Sequence, residues 1–458
     1  MGTYLNRTPS SAGNEKTWTV SFWVKRAGIS STSSQFLFAS DTNYSDYVWC
    51  RFCGTEVTGK ADMLQVFMVE PNARESNVRT NRLFRDPSSW YHIVIRCDTT
   101  QSTAADRLRI YVNGVEQTSF DTASYLNQND DNMNWNSNVP QIIGAQLSGG
   151  TSERFQNGYI TNFVNIDGQS LAPTSFGETD STTGEWKPKA DLSGLTFGTN
   201  GFWQKYESAG NLGLDSSGNS NTYTVNNAGT GAQTVDTASN NFCTLNPLQQ
   251  TTSVTLSNGN LVATNTANDQ GAAGTMAFSA GKWYWEVKLV NKVEVGINLD
   301  SNILQLSNDS TLSSNDSNLK QTALVTNSAG GPNDFRFNGS TETVNSTACS
   351  DGDILMVAVD ADNTKIYYGK NGTWMNSGNP AGGSGELKNF SSGYTAGNFI
   401  TPTFQNGIGT TASCQFNFGN PPFSISSGNA DANGFGNFEY AVPSGYYALC
   451  TKNLAEYG

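Results

Sequence analysis

Between Ser350 and Trp374 the chain reads SDGDILMVAVDADNTKIYYGKNGTW, two short apolar runs separated by turn formers. Period-two alternation puts Val357 and Val359 on one face, and Asp360-Ala361-Asp362-Asn363 makes the reversal. Ile366-Tyr367-Tyr368 then starts a return strand toward a second turn at Lys370-Asn371-Gly372. The same pattern recurs along the chain, because runs of Val, Ile, Thr, Tyr, Phe and Trp end repeatedly in Asn-Gly, Ser-Gly or Gly-Gly. Few windows carry a 3.6-residue apolar period, so little helix is expected. At 458 residues the chain is long for one core, and its 46 glycines with only 14% charged residues suit turn-rich sheets. The expectation is an all-β protein made of two antiparallel, jelly-roll-like β-sandwich domains in tandem.

Charge narrows the function. The formal net charge is -13, and no cluster of Lys or Arg is dense enough to neutralise a run of phosphates, so nucleic acid is not expected as a partner. Arg74, Arg79, Arg82 and Arg85 do gather, but among Glu70, Glu75 and Asp86, which reads as a solvated loop. No apolar run approaches the ~20 residues that span a bilayer, so no membrane insertion is expected, and the polar opening TYLNRTPSSAGNEK is no secretory leader. Seven cysteines, an odd and scattered set, do not form a disulfide framework and suggest synthesis in a reducing cytoplasm. Cys50 and Cys53 have the spacing of half a zinc site, yet no second pair of ligands follows and strand residues three apart face opposite sides.

Catalysis lacks its usual parts. His92, the one histidine, lies in WYHIVIRC without a Ser or Cys nucleophile motif, and a role in strand packing or a hydrogen bond is expected. Glycoside hydrolysis needs two carboxylates aimed at one cleft, which period-two spacing on a strand would supply. Glu178-Thr179-Asp180 comes closest, but it is separated from Glu185 by a polar stretch. Asp351 with Asp353 and Asp360 with Asp362 sit at turn positions. The chain is therefore read as non-catalytic, with no metal site and no cofactor. Calcium is the one cation the loops admit: Asp41, Asn43 and Asp46 follow one strand, and Asn127, Asp130 and Asp131 follow Tyr125-Leu126. Both stretches also fit simple turn filling, and they are candidate ligand-binding residues on that footing.

Three resemblances add to this reading. GKWYWEVKL at Gly281 to Leu289, VEVGINL at Val293 to Leu299 and the Ser350 to Trp374 hairpin resemble the SPRY domain, a β-sandwich that binds through its loops. Carried over by position, Asn371, Trp374 and Tyr394 are the implied loop candidates, whereas Trp283 and Trp285 share a strand face and are expected in the core. TWTVSFWVKRA, FLFAS, WYHIVIRCDTT and RLRIYVNGVEQTSF follow one another as in a laminin-G or concanavalin A-like lectin/glucanase sandwich, and LGLDSSGNSNTYTV at Leu212 to Val225 is similar to a signature of that superfamily. The resulting division is 1–245 for the first sandwich, including an aromatic-rich extension at about 179–245, and 246–458 for the second.

Taken together with SLAPTSFGETDSTTGEWKPK and ASNNFCTLNPL, the whole arrangement resembles structural proteins of marine tailed bacteriophages. That resemblance implies a virion surface protein, a tail fibre, spike or appendage, made in the host cytoplasm and exposed extracellularly. It implies other virion proteins and a host-surface carbohydrate or envelope protein as partners, and a homo-oligomer. A capsid-decoration or tail-connector protein is the alternative, followed by a polysaccharide depolymerase.

Overall fold

The computed structural model describes residues 2–41, 46–69, 75–131, 134–148, 151–229, 231–267, 270–299, 321–325, 334–337, 340–342, 344–406 and 411–458. Among the described residues the chain is nearly all β, with 44% strand, and its one α-helix is short, at Thr451–Tyr457. It divides into two compact units, Met1–Gln233 and Thr234–Gly458. The division falls upstream of the expected 245/246 boundary because Asn241 to Cys243 is already tied to the C-terminal end. Cys243 N donates to Leu449 O at 3.0 Å, Thr451 N donates to Asn241 O at 2.9 Å, and Phe242 bridges Cys450.

The strands of the first unit, in chain order, are β1 (Tyr4–Arg7), β2 (Thr17–Arg26), β3 (Gln35–Asp41), β4 (Tyr47–Phe52), β5 (Met63–Val69), β6 (Glu75–Leu83), β7 (Trp90–Asp98), β8 (Leu108–Val112), β9 (Val115–Glu116), β10 (Phe120–Ser124), β11 (Gln141–Ile143), β12 (Gln146–Ser148), β13 (Thr151–Glu153), β14 (Gly158–Asp167), β15 (Gly177–Thr179), β16 (Trp186–Pro188), β17 (Phe202–Gln204) and β18 (Thr224–Asn226). An eight-stranded sheet runs β10-β6-β5-β4-β3-β11-β1-β18 and a six-stranded sheet runs β17-β14-β2-β7-β8-β9. Their inner faces meet in one core, with Val20, Phe22 and Val24 of β2 and Ile93 and Ile95 of β7 against Phe38, Val48, Cys50, Val66 and Met68. This is the period-two rule at work, since each of these residues alternates with one that faces away.

The outer face of the six-stranded sheet is apolar too. Val94, Tyr111, Val164, Ile166 and Trp203 project there, and Phe176, Leu192 and Phe197 of the chain after β14 cover them. The aromatic-rich stretch is thus a roof rather than a tether. Its LDSSGNSN segment closes around the Asp215 carboxylate, which accepts from Trp203 N and Ser217 N at 2.9 Å and from Asn221 N at 2.8 Å. β18 follows and pairs antiparallel with β1, Leu5 opposite Val225, so a motif late in the sequence finishes the sheet beside the first strand.

Charge is buried where β2 ends. The Arg26 guanidinium, 1% exposed, donates to Asp62 Oδ1 at 2.8 Å and to the Phe84 and Gly28 carbonyls. Asp62 also accepts from Ser30 N at 2.8 Å and from Arg85 Nε at 2.9 Å. Burial pushes the Asp62 carboxyl up, but the Ser30 N–H and the two arginines outweigh it and hold it below the ordinary range. Arg79 pairs with Asp121 and Arg82 lies 5.7 Å from the Phe84 ring centroid. The arginines expected in a solvated loop therefore sit on or beside β6 in ion pairs and ring contacts, Arg74 lying outside the described residues.

In the second unit a seven-stranded and a nine-stranded sheet enclose the core. The strand Lys282–Leu289 pairs with Ile354–Asp360, which pairs with Lys365–Lys370, Leu355 opposite Lys370 and Asp360 opposite Lys365, the hairpin expected from the sequence. Trp283, Trp285, Leu355, Val357 and Val359 point into the core, while Tyr284, Met356, Ala358 and Tyr367 project outward beneath Phe438, Tyr446 and Ala448. Glu286, fully buried, fastens that C-terminal cover, accepting from Tyr440 N at 2.8 Å, Glu439 N at 3.0 Å, Tyr284 Oη at 3.0 Å and Asn417 Nδ2 at 3.1 Å.

Asp62 has φ of 67°, a conformation that asparagine tolerates, so Asp62→Asn removes the charge without asking for a new backbone. Leaving Arg26 buried without its counter-charge is expected to cost about 3 kcal/mol or more of stability. Urea unfolding of the two proteins measures it, and a loss below about 1 kcal/mol would show that the pair does not fasten the sheet.

Candidate functional site

The outer face of the eight-stranded sheet is partly open, with Phe36, Ala39 and Trp49 buried and Tyr47, Phe67 and Arg51 half-buried, and register defines what it presents. Tyr47, Trp49 and Arg51 alternate along β4; opposite them on β5 stand Val69, Phe67 and Gln65; opposite those on β6 stand Glu75, Asn77 and Arg79. Trp49 and Phe67 are direct cross-strand partners with ring centroids 4.8 Å apart, and Tyr47 lies 6.3 Å from Trp49 with the planes at 4°. Tyr47 and Phe67 are half-buried, Trp49 is 8% exposed, and Phe36 closes the cluster from below.

A polar chain runs beside the rings. Ser124 Oγ accepts from Asn77 N at 3.1 Å, Gln65 Nε2 donates to Asn77 Oδ1 at 2.8 Å, and Arg51 donates to Gln65 Oε1 through Nε at 3.0 Å and Nη2 at 2.9 Å. Gln65 is buried with its amide spent on Arg51 and Asn77, so what this face offers a sugar is the half-buried rings of Tyr47 and Phe67, on which apolar C–H faces can rest, and the Asn77 Nδ2 and Arg51 guanidinium beside them.

The candidates from sequence fall in different places. Asp41 is opposite Tyr47 at the end of the β3–β4 hairpin, and Asn43 lies outside the described residues. The Asp46 carbonyl accepts from the Asn134 amide, which joins the loop to the stretch containing Asn127, Asp130 and Asp131. That second loop is committed to its own turn. Asp130 Oδ2 accepts from Asn127 N at 2.6 Å, its carbonyl accepts from Thr99 Oγ1 at 2.7 Å, and Asp131 pairs with Lys16 at 3.1 Å. Among the described residues no group of three His, Cys, Asp or Glu is placed to hold a metal ion.

In the second unit Asn371, at φ of 48°, and Gly372, at 87°, make the two-residue hairpin turn. The Asn371 side chain is spent there, accepting from Ile354 N at 2.8 Å and donating to Asp353 Oδ1 at 2.7 Å. Trp374, its ring centroid 6.4 Å from that of Tyr284, packs on the outward cluster beneath the C-terminal cover, which favours a packing role. Tyr394 lies toward the other end of the strand Lys365–Lys370. With Ser279, Asp362, Thr364 and Ser391 it lines an open cleft of about 390 Å³, and its hydroxyl donates to Asn398 O at 2.8 Å. Tyr394 and the Asn371–Trp374 turn therefore do not form one site.

The remaining carboxylates are also engaged locally. Asp180 accepts from Thr182 N, Thr183 N and Lys187 Nζ at the tip of the β15–β16 hairpin, and the Lys187 contact foremost keeps it well below the usual carboxylate range. His92 is a packing residue. Its Nδ1 accepts from Trp186 Nε1 at 2.9 Å, which leaves Nε2 to donate to Ser21 Oγ at 2.8 Å, and its ring stacks 4.6 Å from Trp23. Trp186 reaches it through a slot without side chains: a Cβ on Gly177 would stand 2.6 Å from the indole and one on Gly114 would stand 3.0 Å from it.

Residues 2–175 match the family model described as concanavalin A-like lectin/glucanases superfamily. The first sandwich has that fold, and the fold suggests carbohydrate binding. No curated protein matches the chain. Similar solved structures are the SPRY domain of human HERC1 (14% identity, TM-score 0.28, covering 38% of this chain and 96% of that one) and the TRIM65 PSpry domain (13%, 0.29, 38% and 91%). A heptameric SAP-like pentraxin from Limulus polyphemus is similar at 14% identity, TM-score 0.26, 37% and 71%.

Burial depresses the His92 pKa from 6.5 to about 3. The unfolded chain takes up this proton as pH drops below about 6.5 and the folded chain does not, so the stability His92 contributes is full above pH 6.5 and is lost as pH falls toward 3. Wild type is expected to lose stability over that window more steeply than His92→Gln, by up to about 1.4 kcal/mol per pH unit. Parallel urea-midpoint curves for the two proteins would contradict it.

Proposed function

We propose that this chain is a non-catalytic, surface-displayed binding protein that takes host-surface carbohydrate on the open face of its first sandwich. The observation that carries this reading is the row of Tyr47, Trp49 and Phe67 on the outer face of the eight-stranded sheet, with Tyr47 and Phe67 half-buried and the Asn77 and Arg51 side chains beside them. The superfamily fold of residues 2–175 supports the ligand class. The likeness of the sequence to structural proteins of marine tailed phages supports the setting: a tail fibre, spike or appendage of a virion, assembled with other virion proteins in the host cytoplasm and exposed after lysis. Each face offers few contacts, so attachment relies on several copies per particle. The second sandwich supplies a further binding surface, and the cleft beside Tyr394 is its candidate.

The test is co-sedimentation of the purified chain with host cells, with and without mild periodate oxidation of the cell surface, alongside a Tyr47→Ala/Phe67→Ala variant. Binding is expected to be lost after periodate and to fall about tenfold or more in the variant, by the weight of aromatic ring contacts. Binding that survives periodate points to an envelope protein instead. No binding at all, with tight association to another virion protein, overturns the reading in favour of an architectural role.

A further inference from the structure

We infer that the sugar taken on this face is acidic, and that Arg51 receives its carboxylate or sulfate group. The inference rests on the carbohydrate reading above and names the class of glycan. Among the arginines of the first unit, Arg79 is matched to Asp121, Arg85 and Arg26 to Asp62, and Arg109 to Asp106 and Glu116, whereas Arg7 bonds to the Asn200 and Asn221 side chains and Arg82 lies against the Phe84 ring. Arg96 and Arg107 are consumed by hydroxyl and carbonyl oxygens.

Arg51 differs from these in its setting on the face. Like Arg7 and Arg82 it has no ion pair among the described residues, but it stands in line with Tyr47 and Trp49, with Nε and Nη2 donating to the neutral Gln65 and the Cys53 thiol beside it. Glu56, whose charge reaches Arg51, is spent on Ser34, accepting from its N–H at 2.7 Å and its hydroxyl at 2.5 Å. The end-on fork of Nη1 and Nη2 is thereby left for an anion from outside. Arg154 and the Asp121-paired Arg79 stand near Arg51, so the cation has basic neighbours within a chain of net charge -13.

The guanidinium is also held ready. It stacks 4.3 Å from the Trp49 ring centroid and 5.7 Å from that of Phe36, and Asn77 fixes the Gln65 amide that orients it. A planar fork held against a ring matches a carboxylate or sulfate bidentately, with the neighbouring sugar ring falling on Tyr47 and Phe67. Acidic polymers are repelled by the chain at large, but screening confines that repulsion to about 10 Å, so a local positive site can recruit them.

The experiment measures binding of the full chain, as wild type, Arg51→Gln and Arg51→Lys, to an immobilised polyuronate, a sulfated galactan and a neutral glucan at low and high salt. Wild type is expected to prefer one or both acidic polymers, to weaken as salt rises, and to lose about tenfold or more in Arg51→Gln. Arg51→Lys keeps the charge without the fork and is expected in between, which separates recognition from misfolding; unchanged unfolding midpoints support the same point. The polyuronate and galactan arms identify the anion. Binding to the neutral glucan that equals the acidic arms and ignores salt and Arg51→Gln overturns the acidic-sugar inference and leaves the carbohydrate reading standing. Binding to none of the three also overturns it, and periodate-sensitive cell adhesion then decides the broader reading by itself.

Discussion

A sheet in a β-sandwich buries one face against its partner, and the other face must go to solvent, to a roof or to a ligand. Much of this molecule follows from how its outer faces are settled. The six-stranded sheet of the first unit carries Val94, Tyr111, Val164 and Ile166 on its outside, far too apolar for water, and the connector supplies Phe176, Leu192 and Phe197 to cover them. The second unit repeats the solution with other parts, laying Phe438, Tyr446 and Ala448 over Tyr284, Met356 and Tyr367. Each roof is pinned by a buried polar group at its contact with the sheet, His92 receiving Trp186 in one and Glu286 receiving the backbone of Glu439 and Tyr440 in the other. A roof held by apolar contact alone could slide; a directional hydrogen bond fixes its register.

The abundance of asparagine has the same explanation. Asn165, Asn136 and Asn200 form a buried cluster in which Asn165 Nδ2 donates to Asn136 Oδ1 at 2.7 Å and Asn200 Nδ2 donates to the Asn136 carbonyl at 2.7 Å, with Trp135 Nε1 donating to Asn165 Oδ1 at 3.0 Å. An amide donates and accepts at once, so a few of them satisfy loop backbone that strands cannot reach and that would be costly to bury unpaired. The Asn371 side chain is used in this way, bonding Ile354 N and Asp353 within its own turn.

The sandwich architecture was legible because strand periodicity and turn chemistry are local: the hairpin from Ile354 to Lys370, its Asp360 turn and the inward Trp283 and Trp285 follow from spacing alone. The role of His92 was legible for the same reason, since a histidine within an apolar strand has few alternatives to packing. Pairings distant in sequence were not. Nothing in the order of residues announces that Asp62 meets Arg26 and Arg85, or that Thr224–Asn226 lies beside Tyr4–Arg7. The open face was hidden for a related reason. Tyr47, Trp49 and Phe67 sit in runs so rich in aromatics that each reads as core, and only register across β4 and β5, together with knowledge of which face the connector roofs, turns them outward. The alternation Tyr47-Val48-Trp49-Cys50-Arg51 held the signal, because an arginine in phase with two aromatics marks a face that is not the core.

On the proposed reading recognition lies on a sheet face rather than on loops, which changes what the site could do. Loop ligands must be ordered on binding and lose affinity to that ordering, whereas Arg51, Gln65 and Asn77 are fixed by the ladder beneath them and by one another before any ligand arrives. The cost is size, since a flat strip of a few residues contacts only a short stretch of polymer. A repeating polysaccharide offsets that limit by presenting the same short stretch many times, so a rigid, small and repeated site suits a repetitive ligand better than a deep pocket would.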